Sequence, residues 1–265
     1  MNEFRHINLP QFYLSAPAPC PYLKGRIERK VFTYLAGPRA DALNDALTHI
    51  GFRRSQTIAY KPACEACSAC ISVRVNINQF KPNSSLKRIL NKNKDIEIRP
   101  YLPHTTRQQY ELLNRYLEAR HQTGGMTDMT SFEYMAMVED TSVNTYLVEY
   151  YLNPSNRDEG AKPSTHSTDR FSPLPMQAEN LVATALIDRL SDGLSMVYSF
   201  FEPSLAERSL GSFMILDQIA RAREANLSYL YLGYWVADCQ KMAYKQRFQP
   251  LEKLTDKGWQ AFTKT

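Results

Sequence analysis

Three cysteines carry the most specific spacing in the chain. Cys64, Cys67 and Cys70 form two overlapping Cys-x-x-Cys steps, a separation that lets two thiolates reach one metal ion. A tetrahedral site needs a fourth ligand, for which Cys20 is the candidate; the alternative is a set of reduced cysteines lining a tight turn. With Cys239 the count is five. An odd number without a secretory leader argues for free thiols. Cationic residues crowd the same region: Arg26 and Arg29, then Arg53 and Arg54 after Gly51, then Lys61 and Arg74. Guanidinium groups at strand ends suit a carboxylate or a phosphate, because arginine presents a planar fork of donors. Arg53, Arg54 and Arg74, with Ser55, Tyr60 and Lys61 beside them, are therefore candidate binding residues.

A second concentration lies near the C-terminus, where Tyr234 and Trp235 are followed by Lys241, Tyr244 and Lys245. Aromatic faces interleaved with cations suit a stacked nucleobase and its phosphate; the competing reading is an aromatic core edge with exposed lysines. Between residues 81 and 99 lie Lys81, Lys87, Arg88, Lys92, Lys94 and Arg99 against only Asp95 and Glu97, either a solvated face or a nucleic-acid contact. Arg208 and Gly211 sit at a strand-to-helix junction of the kind that cradles coenzyme A in GNAT-type acetyltransferases, but Phe213 stands where a small residue is expected. No nucleophile elbow, phosphate-binding Gly-x-x-x-x-Gly-Lys loop or His-Glu-x-x-His occurs, which removes the minimal parts of a hydrolase, a P-loop nucleotidase and a zinc protease.

These residues must be positioned by a chain of 265 residues and 30.5 kDa, 43% apolar and 22% charged, ordinary usage for one large or two small packed domains. Lys and Arg exceed Asp and Glu by five, with a pI near 8.9. No apolar run approaches the ~18 residues a membrane helix needs. Residues 1–9 lack the order of a secretory signal, so a cytoplasmic location is expected. Helical spacing marks 39–50, 105–121, 131–139 and 210–225, while β-forming runs mark 57–60, 71–77, 145–152, 181–190, 195–201 and 229–232. The cysteine loop falls between two of these strands. Three antiparallel strands, a helix and a further strand predict a mixed α/β acyltransferase-like sheet, preceded by a cysteine-containing N-terminal region. The division expected is 1–100 and 101–265, with 153–177 a mobile insertion rich in Pro, Ser and Thr. No internal repeat is present.

Taken together, Cys20-Pro21-Tyr22-Leu23, Gly51 to Ser55, Tyr60-Lys61-Pro62, Cys64 to Arg74 and Tyr231 to Lys245 resemble the aminoacyl-tRNA protein transferases that modify protein N-termini, and most closely their bacterial leucyl-transferring branch. The resemblance spans nearly the whole chain. It implies a GNAT-like fold and transfer of leucine from leucyl-tRNA to proteins beginning with Asp or Glu, marking them for degradation in the N-degron pathway. On that reading Arg53, Arg54 and Arg74 meet the acidic side chain, while Lys87, Arg88 and Lys92 contact the tRNA. Tyr234, Trp235, Lys241, Tyr244 and Lys245 receive its 3′ end, with Lys241, Tyr244 and Lys245 nearest the chemistry. Eukaryotic arginyl relatives carry further cysteines where this chain has Leu23 and Ser68, so their zinc or iron–sulfur ligand set is not reproduced residue for residue. An aminoacyl ester is already activated, so neither ATP nor a metal is obligatory and positioning can suffice. The competing functions are an acetyl-CoA-dependent N-acetyltransferase and a noncatalytic RNA-binding module.

Overall fold

The computed structural model describes residues 9–120, 129–153, 180–237 and 239–263. A small sheet of order β1-β4-β6-β5 is built from Tyr13–Leu14, Lys30–Tyr34, Ile58–Pro62 and Arg53–Ser55, with β2 (Ala18–Pro19) and β3 (Ile27–Glu28) pairing separately beside it. Helix α1 (Ala40–His49) covers its inner face. Leu35, Leu47, Phe52 and Ala59 close a core between them.

The large sheet has the order β14-β13-β7-β12-β11-β10-β9-β8. Its middle strands are β7 (Ile71–Asn76), β12 (Tyr229–Trp235), β11 (Gly193–Phe201), β10 (Asn180–Arg189) and β9 (Thr145–Leu152). At one edge lies β8 (Ile96–Tyr101), and at the other β13 (Leu251–Thr255) and β14 (Gly258–Ala261) form a hairpin. The expected antiparallel meander is β9, β10 and β11. Among the described residues only β11 and β12 pair in parallel, and a parallel neighbour requires a crossover. That crossover is α5 (Leu210–Glu224).

Both faces of the large sheet are covered. Val148 and Tyr150 of β9, with Ile187, pack under Phe213, Leu216 and Ile219 of α5 and under Leu86 and Ile89. On the other face Leu147 and Leu186 meet Leu112, Leu113 and Leu117 of α3 (Arg107–Arg120) and Tyr134 and Val138 of α4 (Ser131–Glu139). Burial on two sides explains why β9 and β10 read as continuous apolar runs rather than alternating ones.

Two particulars were not legible in the sequence. The basic segment is a helix, α2 (Ser84–Lys92), whose N-terminus is capped by the Asn83 side chain accepting the Leu86 N–H at 3.0 Å. Residue 100 lies inside β8, and β7 is inserted between β12 and β13, so a division at that residue does not coincide with a sheet boundary. The proposed insertion, beyond Asn153, lies outside the described residues; β9 and β10 on either side of it pair from Leu152 with Asn180 onward.

Candidate active site at the opening of the large sheet

β11 and β12 pair only where Gly193–Ser195 meet Tyr229–Tyr231. Beyond that point they part, and strand carbonyls lose their ladder partners. Buried carbonyls must be satisfied somehow, and here two cations do it. Arg53 Nη2 donates to the carbonyls of Met196 at 2.6 Å and Val197 at 3.2 Å on β11. Lys245 Nζ donates to the Tyr234 carbonyl of β12 at 2.5 Å. Lys245 comes from the 3-10 helix Gln240–Arg247 and is buried.

Gly233 makes room for this arrangement. Its φ is +75°, and a Cβ there would lie 1.4 Å from Arg53 Nη1. Burial, and next the Arg53 charge, push the Lys245 ammonium down to about 7. A lysine so placed is partly neutral at physiological pH: it keeps an N–H on Tyr234 and gains a lone pair able to accept a proton.

Tyr234 anchors the cleft to the small sheet, its buried hydroxyl donating to the Gly51 carbonyl at 2.9 Å and the Tyr60 carbonyl at 3.2 Å. Burial raises it above the ordinary tyrosine range, so it remains a donor. The same cluster adjoins a cavity of about 300 Å³ walled by Cys20, Cys64, Cys67 and Cys70 together with Tyr22, Glu28 and Lys61. Tyr22 and Cys70 both lie within the electrostatic surroundings of Tyr234. The Cys70 thiol is pushed up to about 11 by burial and then by the neighbouring Cys20, Cys64 and Cys67, which keeps it protonated and weakly nucleophilic.

The four thiols share one cavity. Among the described residues the one group of three or more ligand side chains with atoms within 4.8 Å of one another is Asp45, His49 and Asp192, and it contains no cysteine. No three of the cysteine sulfurs come within 4.8 Å of one another, so they are spread wider than the ligand shell of a single zinc ion. The Asp45 group is internally partnered. His49 Nε2 lies 3.0 Å from Asp192, and Asp45 accepts from the Ser191 amide and hydroxyl, tying α1 to the β10–β11 turn.

Several residues marked by the sequence are not in the cleft. Arg54 points to the opposite face of β5, where its guanidinium makes two 2.7 Å contacts to the buried Asp188 and a 3.2 Å bond to Thr145. Arg74 donates to Glu252 at 2.8 Å and to the Tyr231 hydroxyl at 3.0 Å, and is sandwiched by the rings of Tyr229 and Trp259. Both are structural cations with every strong partner inside the protein. Trp235 is half-buried and meets Phe262 edge-on at 4.7 Å against the main core. Ser55 is exposed at the end of β5 and Lys241 on the 3-10 helix; Tyr244 of that helix stays beside the cleft, its hydroxyl pushed up by burial and then by Tyr116 while the Arg53 charge pulls it down. Lys61 holds the Ile50 carbonyl at 2.9 Å from the cavity wall.

Lys87, Arg88 and Lys92 lie on the exposed side of α2, Lys92 reaching the Glu207 carbonyl at 2.9 Å. Arg247 donates to Ser85, which fastens the start of α2 to the helix that carries Lys245. Arg208 is committed to Asp95 through two 2.8 Å bonds, and Phe213 is packed in the core against Tyr150 rather than obstructing a loop. What disfavours a pyrophosphate cradle is thus the occupied Arg208. Asp188, the partner of Arg54, is the part that sequence reasoning missed, because it comes from a strand 134 residues further along.

The fold and the cleft together describe a mixed α/β protein whose opened sheet presents buried donors and a proton-accepting amine, the equipment for acyl transfer. Two family models match the chain: arginine-tRNA-protein transferase, N terminus, at residues 18–88, and the C terminus of the same family at residues 108–255. The chain belongs to this family of aminoacyl-tRNA protein transferases. It is 53% identical over 253 residues to an aspartate/glutamate leucyltransferase of Rhizobium leguminosarum bv. trifolii, covering 96% of this chain and 93% of that one. It is 52% identical to the protein of that name in Sinorhizobium medicae, with 96% and 93% coverage, and 54% identical to that of Bradyrhizobium diazoefficiens, with 94% and 91%. Among solved structures, L-PGS from Bacillus licheniformis aligns with a TM-score of 0.43 at 10% identity, over 63% of this chain and 45% of that one.

Proposed function

We propose that the chain transfers leucine from leucyl-tRNA to the N-terminal amine of proteins beginning with Asp or Glu, marking them for degradation. The observation that carries this reading is the pair Arg53 and Lys245 at the parting of β11 and β12, and the names of the relatives supply the donor and acceptor classes. The amine lone pair attacks the ester carbonyl, forming a C–N bond and a tetrahedral oxyanion. Arg53 Nη1, held over Gly233, is the donor for that oxyanion. Lys245 in its neutral form takes the proton from nitrogen. The C–O bond to the ribose then breaks, and the proton is returned to the leaving hydroxyl.

The cysteine-walled cavity receives the acceptor residue. Lys61, with Arg26 on the same wall, replaces Arg54 and Arg74 as the partner of its carboxylate. The exposed face of α2 meets the tRNA backbone. No metal enters the scheme, because the ester is activated before it binds. The setting is the cytoplasm, where charged tRNA is available; no helix among the described residues is long and apolar enough to cross a membrane.

The test is single-turnover transfer from leucyl-tRNA to peptides beginning with Asp, Glu or Ala. Product with the acidic peptides, and its loss in Arg53→Ala, is expected. Absence of product from the parent chain with all three peptides, under conditions where the fold is intact, overturns the reading.

A further inference from the structure

The small sheet carries a row of side chains of which only the last, Arg53, belongs to the cleft. Across its four strands Tyr13 pairs with Phe32, Phe32 with Tyr60, and Tyr60 with Arg53. Residues directly opposite one another on antiparallel strands share a face. The row therefore runs from the edge strand to the guanidinium in the cleft. Tyr34, two residues beyond Phe32 on β4, flanks it on the same face. The rings are close: Tyr13 stacks on Phe32 at 5.6 Å, and Tyr34 meets Tyr13 at 5.8 Å and Phe32 at 6.0 Å. They are also open to solvent. Tyr34 is 57% and Tyr13 43% exposed, whereas the opposite face, through Thr33, Leu35 and Ala59, is buried.

On the face itself the charge is cationic: Lys30, two residues before Phe32, lies 5.5 Å over the Tyr60 ring while pairing with Glu28 at 2.8 Å, and Arg53 ends the row. An apolar peptide partner would have no use for that charge, while a polyanion with flat rings would. Three strand intervals span about 14 Å, the length of about four bases stacked at about 3.4 Å. From these observations we infer that the face formed by Tyr13, Phe32 and Tyr34 is a stacking platform for the unpaired 3′ end of the donor RNA. It leads the last nucleotide past Tyr60 to the ester site at Arg53. This rests on the proposed aminoacyl-tRNA donor and moves the stacking role from Trp235, which is packed on Phe262.

Anisotropy with a fluorescein-labelled single-stranded RNA 12-mer, and the KM for leucyl-tRNA, test the platform in the full chain. Loss of base stacking weakens binding by about fivefold to a hundredfold per ring. The double variant Tyr13→Leu, Tyr34→Leu should therefore show both quantities worsened within or beyond that range, with kcat at saturation retained. Tyr13→Phe, Tyr34→Phe should behave as the parent. Leucine variants that melt with the parent yet bind the 12-mer and leucyl-tRNA unchanged overturn the proposal. So does a defect confined to the KM of the acceptor peptide, which would make the face a protein-docking surface. If the parent transfers no leucine, the functional reading fails, while the 12-mer measurement still decides the platform.

Discussion

Lys245 and its neighbours respond to pH in a direction that can be worked out. In the unfolded chain a lysine holds its proton to about 10.4, but in the folded protein Lys245 releases it near 7. Between those values the unfolded state binds more protons, so the contribution of this residue makes stability rise as pH increases from 7 toward 10.4. Lys245→Met should flatten that rise in a Tm-versus-pH series, and should abolish the limb of the transfer rate with a midpoint near 7 while leaving the titration of the acceptor amine in place. An unchanged rate profile would assign Lys245 to capping Tyr234 alone. Arg54 behaves differently. Removing one partner of a buried ion pair costs roughly 3 to 5 kcal/mol, so Arg54→Met should lower denaturant stability by about that amount without altering the peptide KM of the molecules that remain folded.

The contrast between these adjacent arginines shows what sequence could and could not supply. Arg53-Arg54 was readable as a concentration of charge, and Tyr234-Trp235 as a concentration of aromatics. In a strand, however, neighbours point to opposite faces. One of each pair enters the cleft, and the other turns to Asp188 or Phe262, partners on remote elements. Local pattern reveals the pair; only the sheet register chooses between its members.

At the level of elements, α2 and the cysteine loop lead to separate measurements. The charge density of residues 81–99 masked a helix whose Asn83 cap and inward Leu86 and Ile89 are visible once the element is known. Helices and strands with long apolar runs, such as α5 and β9 to β11, were legible because burial on their faces leaves a clear period. If α2 lies on the tRNA backbone, replacing Lys87, Arg88 and Lys92 by Gln should weaken tRNA binding and reduce the salt slope by about 0.9 for each duplex phosphate left without its cation. A slope equal to that of the parent would remove α2 from the interface. The cysteine loop gives the opposite expectation. Chelation under reducing conditions should leave the transfer rate unchanged, and a lost rate with an intact fold would show that the cavity needs a metal.

For the whole molecule, the two sheets are fastened at many points. Arg54 of β5 reaches Asp188 of β10, Tyr234 of β12 reaches Gly51 and Tyr60, and the Ser72 hydroxyl of β7 donates to the Gly51 carbonyl. Unfolding of the full chain should accordingly be one transition by calorimetry and by tyrosine fluorescence. Residues 101–265 expressed alone lack β7, the strand between β12 and β13, and should show no cooperative melt. A sharp transition from that fragment would mean that its sheet closes without the inserted strand.

The position of β7 also sets an order of events during synthesis. Its residues, Ile71–Asn76, leave the ribosome long before β12 at Tyr229–Trp235 and β13 at Leu251–Thr255, yet those are its ladder neighbours on both sides. The small sheet can assemble once residue 62 has emerged. β7, with its apolar Val73 and Val75, must wait unpaired until β12 and β13 follow it out. During that interval it is an unprotected edge, the kind of segment that chaperones cover and that aggregates when they do not. Production of this protein should thus depend on how quickly residues 229–255 follow the rest.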